Sequence, residues 1–158
     1  MESVKPRIII EFGVNEGFTA RLLLRSILTI TKYYGVDVTP DYVPTKEVQR
    51  KEIPKNPGGL VKDSRFELML RKRGSFDLMP ADFPYSVCAA FIDGDHSRAG
   101  VTNDYNLSRQ IVRRGGIIVF HDDHDWGTVD VRTVLDELGD EGQEIIHVHN
   151  TWVAYQRV

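Results

Sequence analysis

The sequence predicts a single-domain α/β protein, a doubly wound and mostly parallel sheet, and three observations carry that prediction. Short β-branched runs alternate with segments of helical periodicity along the chain, and strands alternating with helices form parallel sheets with right-handed crossovers. Several of these runs stop at a glycine or an aspartate, as in "RIIIEFG", "KYYGVDV" and "SVCAAFID". The last two, "EIIHVHN" and "TWVAYQRV", are separated so briefly that they can pair only as an antiparallel hairpin.

Taken in order, "RIIIEFG" is a strand ending at Gly13, and "FTARLLLRSIL" is a largely buried helix with Arg21 and Arg25 four apart on a polar stripe. "KYYGVDV" is a second strand that stops at Asp37 and Pro40. Residues 39–64 hold four prolines and the pair Gly58-Gly59, and they predict a loop with at most a short helix around Lys46 to Lys51. "RFELML" is a third strand, "SVCAAFID" a fourth and "GGIIVFHD" a fifth. Between the last two a helix is expected from Arg98 to Arg113, with Ser97 as N-cap and Gly115-Gly116 as its end. After Thr128 a helix through "VRTVLDEL" leads to the closing hairpin. No repeat, low-complexity tract or second domain interrupts the pattern.

A chain of 158 residues, 41% hydrophobic and 27% charged, suits one self-stabilising core. No apolar run approaches the roughly 20 residues that span a bilayer, and "MESVKPR" lacks the apolar core of a secretory signal. The expectation is a soluble, cytoplasmic protein with no membrane partner. The lone cysteine, Cys88, sits in an apolar run and reads as a buried hydrophobe. A net charge of −3 is too mild to imply a nucleic-acid surface, and no nucleic acid is expected as a partner. Charge is distributed unevenly, however. Residues 46–73 carry nine Lys or Arg against four Asp or Glu, while residues 91–144 carry five against twelve. Solvated faces are one reading; a basic flap of Lys46, Arg50, Lys51, Lys55 and Lys62 over an anionic acceptor is the other.

Strands of open α/β sheets end in a crevice that binds ligands, so polar residues clustered there are candidates for chemistry. "FIDGDHSRAG" places Asp93, Asp95 and His96 where the fourth strand runs out. In "EFGVNEGF" the glycines Gly13 and Gly17 would let the backbone approach a ligand, which makes Glu11, Gly13, Asn15 and Gly17 candidates for binding a cofactor. The turn lacks the middle glycine of G-x-G-x-x-G, which disfavours a diphosphate cofactor. Asp37, twenty residues past Gly17 at the end of the second strand, is positioned to accept both hydroxyls of a ribose.

The order E-x-G-x-x-x-G, a strand ending in Asp, "FIDGDHS", "GGIIVFHDD" and a C-terminal hairpin resembles the class I S-adenosylmethionine-dependent methyltransferases. Within them it is similar to the small O-methyltransferases with an "IDGDH" strand end and to the metal-dependent catechol-type and antibiotic-sugar enzymes. The resemblance runs from Arg7 onward and implies a Rossmann-like sheet of seven strands with the last antiparallel. It also implies that Gly13 and Gly17 lie against the methionine moiety, that Asp37 holds the ribose, and that Ser75 and Asp77 of "GSFD" approach the adenine. Asp93, with a place in the cofactor site, joins Asp122 and Asp123 as the implied metal ligands, and Asp95 or His96 is the implied general base.

Fourth and fifth strands in such a sheet are neighbours about 4.8 Å apart, so the three aspartates converge. Carboxylates so placed repel unless a cation holds them, and oxygen ligands suit Mg²⁺ or Ca²⁺, with Mg²⁺ first. His121 and His124 flank the pair and keep Mn²⁺, Fe²⁺ and Zn²⁺ open. Asp123 departs from the catechol-type pattern, which has asparagine there; the sugar-modifying relatives carry paired aspartates. The expected reaction is methyl transfer to a small-molecule or sugar hydroxyl. The alternatives are a metal-dependent hydrolase and a non-catalytic, cofactor-binding subunit. Few residues precede the first strand, where many relatives place helices over the substrate. The acceptor pocket is therefore expected from residues 39–64, from the loop after Asp123 or from a partner in a homo-oligomer. Asp125 and Asp130 read as surface or cap residues, His147 and His149 as sheet-face residues, Trp126 as a pocket wall and Trp152 as packing.

Overall fold

Ile8, Ile9 and Ile10 are apolar in succession because the strand they form, β1 (Arg7–Phe12), lies inside the sheet with both faces covered. The computed structural model describes residues 7–44, 53–83, 86–127 and 129–158. The short helix expected at Lys46 to Lys51 falls outside the described residues, as does Thr128. The remaining strands are β2 (Ile30–Val38), β3 (Phe66–Arg71), β4 (Val87–Ile92), β5 (Val112–His121), β6 (Ile146–His147) and β7 (Val153–Arg157). The helices are α1 (Phe18–Ser26), α2 (Arg98–Ile111) and α3 (Val131–Asp140).

The seven strands run β3-β2-β1-β4-β5-β7-β6. β1 to β5 pair in parallel, while β7 is antiparallel to both β5 and β6. The doubly wound, mostly parallel sheet with an antiparallel C-terminal strand is the architecture the sequence predicts.

Alternation along β1 builds both layers, because successive side chains of a strand leave opposite faces. Ile8, Ile10 and Phe12 enter the larger core with Tyr105 of α2 and Leu135 of α3, whereas Ile9 joins Leu24 of α1 and Tyr33 of β2. The chain leaves β1 toward one face and β4 toward the other, so the strand order reverses at β1/β4 and opens a crevice at their carboxyl ends.

Three local differences from the sequence reading have simple causes. α2 stops at Ile111, two residues early, because Val112 already pairs with Val87 and starts β5. β2 begins at Ile30, two residues before the expected run "KYYGVDV", where the chain first meets Arg7 of β1. The first arm of the closing hairpin keeps only two paired residues, since Val148 to Asn150 turn away with Asn150 at φ 58°. Among the described residues no helix is long and apolar enough to cross a membrane.

Ser97 caps α2 as predicted: with extended backbone (φ −69°, ψ 156°), its Oγ accepts from Gly100 N at 3.2 Å. Its hydroxyl also donates to Asp95 Oδ2 at 3.0 Å. Ser97→Ala is expected to cost about 1 to 2 kcal/mol, the usual worth of a lost cap. Thermal unfolding followed by circular dichroism should show the midpoint falling by a few degrees, and an unshifted midpoint would mean the cap holds nothing.

Candidate active site

The first turn is shaped by what Gly13 lacks. At φ +84° a Cβ there would stand 2.2 Å from the Asp93 carbonyl oxygen, so only glycine lets the ends of β1 and β4 approach this closely. Gly13 N and Val14 N both donate to Val36 O, at 2.9 and 3.2 Å, which ties the turn to β2. Asn15, left-handed at φ 46°, then points its N–H at Asp37 Oδ2, 2.6 Å away. Val38 N donates to the other oxygen at 2.8 Å. Burial raises the Asp37 carboxyl pKa, and these two bonds work against the rise. Two bonds leave lone pairs on both oxygens, which border the cleft.

The glycine-rich part of residues 39–64 is fastened to this turn. Gly58 N donates to Asn15 O at 2.7 Å and Leu60 N to Glu16 O at 2.9 Å, while a Cβ on Gly17 would meet Val61 at 2.6 Å. Tyr42, Pro44, Ile53 and Pro54 border the cleft above Asp37. The proposed basic flap lies in part beyond these facts, since Lys46, Arg50 and Lys51 are outside the described residues.

On the far side of the cleft the structure separates Ser75 from Asp77. Ser75 lines it and accepts from Asn103 Nδ2 at 3.1 Å. Asp77 instead accepts from Arg73 N and Nε, at 2.9 and 2.7 Å, and is not part of the lining. The short 3-10 turn Gly74–Asp77 folds the carboxylate back onto the residue four before it. Beside Ser75 stands Asp104, which sequence reading missed: buried on α2, it lines the cleft near Gly94. Burial pushes its carboxyl up to about 7, against hydrogen bonds from Ser75 and Asn103. The available signal was an aspartate on the same helical stripe as Val101 and Ser108, where a core residue is expected.

Glu11 is set back from the cleft wall. It is 1% exposed, accepts from the Tyr33 hydroxyl at 3.0 Å, and borders no part of the cleft lining. Burial pushes its carboxyl up to about 8, opposed by the Tyr33 bond and reinforced by Asp93 and Asp37.

At the ends of β4 and β5 the structure gathers Asp93, Asp122, His96 and His121. His96 Nε2 lies 2.9 Å from Asp122 Oδ2 and 3.4 Å from Asp93 Oδ1. His121 Nδ1 lies 3.3 Å from both Asp93 Oδ1 and Asp122 Oδ1. Burial alone would raise the Asp93 carboxyl, but His121 and His96 together hold it below its ordinary value. Burial would lower His96, and Asp122 with Asp93 raises it instead. Asp122, then Asp93, pushes His121 up to about 10.

The third aspartate of the expected metal trio lies elsewhere. Asp123 is held by Arg132 Nε and His147 Nδ1, each at 2.7 Å. Asp122 and Asp123 lie just past the last residue of β5 and take different partners, Asp122 the imidazoles of His96 and His121 and Asp123 the side chains of Arg132 and His147. Asp122 is already left-handed at φ 56°. His147, read from sequence as a sheet-face residue, is thus a hydrogen-bond partner of Asp123.

The two base candidates both line the cleft but take different partners. Asp95 accepts from Ser97 N and Oγ, both at 3.0 Å, while His96 turns to the carboxylates of Asp93 and Asp122. Beyond them, Trp126 stacks on His124 at 4.1 Å and 11°, and Trp152 meets Trp126 edge-on at 5.4 Å. Both indoles are about half exposed, and neither is among the residues that line the cleft between Asp37 and Asp93.

Comparison with known proteins gives three findings. A family model described as a methyltransferase domain matches residues 10–122. A stretch of 59 residues is 42% identical to "Uncharacterized protein R132" of Acanthamoeba polyphaga mimivirus, covering 35% of this chain and 27% of that one. The chain thus spans about a quarter of that relative's length. Among solved structures, CalS11, a TDP-rhamnose 3'-O-methyltransferase of calicheamicin biosynthesis, superposes with a TM-score of 0.64 at 17% identity over 96% of this chain and 71% of its own. The MycE methyltransferase of the mycinamycin pathway, in complex with Mg, SAH and mycinamycin VI, gives 0.57 at 16% over 97% and 44%. At such identities the likeness is one of fold.

The buried Glu11 generates a pH signature. Its folded pKa of about 8 exceeds the ordinary 4.5, so its contribution to stability is complete below the unfolded value and is lost as pH rises through the folded one. Unfolding midpoints of Glu11→Gln measured from pH about 5 to about 9 should fall less steeply than those of the parent. Parallel curves would mean that Glu11 is ionised in the fold.

Proposed function

The chain belongs to the methyltransferase-domain family, and on that premise we propose that it binds S-adenosylmethionine in the cleft and methylates a hydroxyl of a small molecule or sugar. The observation that carries the reading is the Asp37 carboxylate, fixed by Asn15 N beside a glycine turn and opening on a cleft that runs on to Asp93 and His96. Asp37 would take the ribose hydroxyls, the Gly13 turn the methionine moiety, and Ser75 the adenine side. Asp77, turned onto Arg73, drops out of this reading.

The acceptor hydroxyl would lie between the sulfonium methyl and the Asp93–His96–Asp122 cluster. As its oxygen forms the new C–O bond, the methyl carbon–sulfur bond breaks, and sulfur keeps the electron pair. The hydroxyl proton passes to the imidazole–carboxylate cluster, and the protein forms no covalent intermediate. The donor set suits a divalent cation, because carboxylates and imidazoles converge on one point within ion-pair distance. When bound, such an ion would neutralise the carboxylates and lower the pKa of a coordinated hydroxyl. The exposed faces of Trp126 and Trp152 beside the cluster would wall the acceptor. That CalS11 is a TDP-rhamnose 3'-O-methyltransferase and that the MycE complex contains Mg favour the sugar and cation parts of this reading.

Calorimetry should show S-adenosylhomocysteine binding at about micromolar strength and NAD far more weakly. Asp37→Ala should weaken that binding by about 1 to 3 kcal/mol, the range for stranding hydrogen-bonding groups. Heat with NAD and none with the adenosyl compound would overturn the proposal.

A further inference from the structure

We infer that the cation of this site is held by Asp93, His96 and Asp122, with Asp123 outside the ligand set, and that the imidazole donor makes the site select Mn²⁺, Fe²⁺ or Zn²⁺ over Mg²⁺. The inference rests on the reading of the cluster as a cation site and names its ligands and ion class.

Spacing comes first. Ligand atoms bound at about 2.1 Å to one cation stand about 3.0 Å apart along an octahedral edge and about 3.4 Å along a tetrahedral one. His96 Nε2 lies 2.9 Å from Asp122 Oδ2 and 3.4 Å from Asp93 Oδ1, and one ligand atom from each of the three residues falls within 4.8 Å of the others. His96 is also immobilised. It is 4% exposed, and its carbonyl accepts from Asp130 N at 2.9 Å, so α3 braces the residue that begins α2's cap.

Asp123, by contrast, has both oxygens engaged, Oδ1 by Arg132 and Oδ2 by His147. Joining the ligand set would break both contacts. A second buried imidazole points to the same place. His124 is 7% exposed, neither ring nitrogen has a hydrogen-bond partner among the described residues, and Nε2 stands 3.6 Å from Asp122 Oδ1. Polar atoms are seldom buried without a partner, and of these two Nε2 faces Asp122.

The donor set decides the ion. Two carboxylates alone would suit Mg²⁺, which demands near-ideal octahedral oxygen ligation and dehydrates reluctantly. A fixed imidazole in the first shell favours first-row divalent ions, whose affinities for nitrogen exceed that of Mg²⁺.

The test uses the full chain freed of metal by a chelator, titrated by calorimetry with Mn²⁺, Zn²⁺ or Mg²⁺ alone, and pulsed electron paramagnetic resonance of the Mn²⁺ form. One Mn²⁺ should bind at least about tenfold tighter than Mg²⁺ and show nitrogen modulation, a readout that needs no variant. His96→Gln, checked for folding by circular dichroism, should lose that modulation and weaken Mn²⁺ by more than about tenfold. Asp123→Asn should retain the ion within about threefold. If the parent binds no divalent ion, the cation reading and this inference fall together. Tight binding without nitrogen modulation, a preference for Mg²⁺, or loss in Asp123→Asn but not in His96→Gln overturns the inference and leaves the cation reading standing.

Discussion

The contact on which the site depends is between two backbones. Gly13 sits against the carbonyl of Asp93, and Asp93 N in turn donates to Phe12 O at 2.9 Å. That approach brings the glycine turn after β1 and the acidic loop after β4 to opposite sides of one narrow cleft. A methyl group at residue 13 would push β4's end outward by more than an ångström, since a Cβ contact of 2.2 Å has no flexible neighbour to yield. The Asp93 carboxylate would move with it, and so would its spacing to His96 and His121. Methyl transfer needs donor and acceptor at near-contact distance, so a scaffold error of that size falls directly on the reacting atoms.

A second constraint is the cost of burying carboxylates. Glu11, Asp37, Asp104, Asp122 and Asp123 are all buried, and an ion taken from water without compensation is unstable. The chain compensates each differently. Glu11 is driven toward its neutral form against Tyr33, and Asp37 receives two backbone N–H groups. Asp104 leans on Ser75 and Asn103, and Asp123 takes a guanidinium and an imidazole. Asp93 and Asp122 meet the imidazoles of His96 and His121.

Strand and helix positions and the cap at Ser97 were legible in the sequence because each follows from local rules: period-two burial, glycine stops, a serine before an apolar stripe. Asp37 and Gly13 were legible for the same reason, being fixed to strand ends by count. What local rules do not contain is the direction of side chains beyond a strand. Asp122 and Asp123 look equivalent in "FHDDH", yet one faces β4 and the other faces α3 and β6, and only the partners Arg132 and His147 reveal which. Those partners come from residues 9 and 24 positions later, a separation at which sequence gives no pairing signal. Asp104 was hidden differently: within a helix that otherwise reads as amphipathic, one acid on the buried stripe looks like a boundary error until the cleft is seen behind it.

The five residues from Asp93 to Ser97 show how little chain the site requires. Asp93 faces the imidazoles, and Gly94 stays bare so that its backbone can lie between Gly13 and the Asp104 carboxylate, 3.3 Å from where a Cβ would stand. Asp95 turns its carboxylate onto the Ser97 N–H and hydroxyl, which bends the loop and commits Ser97 to capping α2. That bend is what rotates His96, between them, inward to the carboxylates rather than out to solvent. Arg98 N then donates to Asp130 Oδ2 at 3.1 Å, and Asp130 N to His96 O, so the starts of α2 and α3 lock the imidazole from outside. Asp95 thus braces the loop that carries His96: removing its carboxylate would free the Ser97 N–H and hydroxyl it holds and loosen the bend, which is how a histidine buried among acids keeps one orientation in a loop.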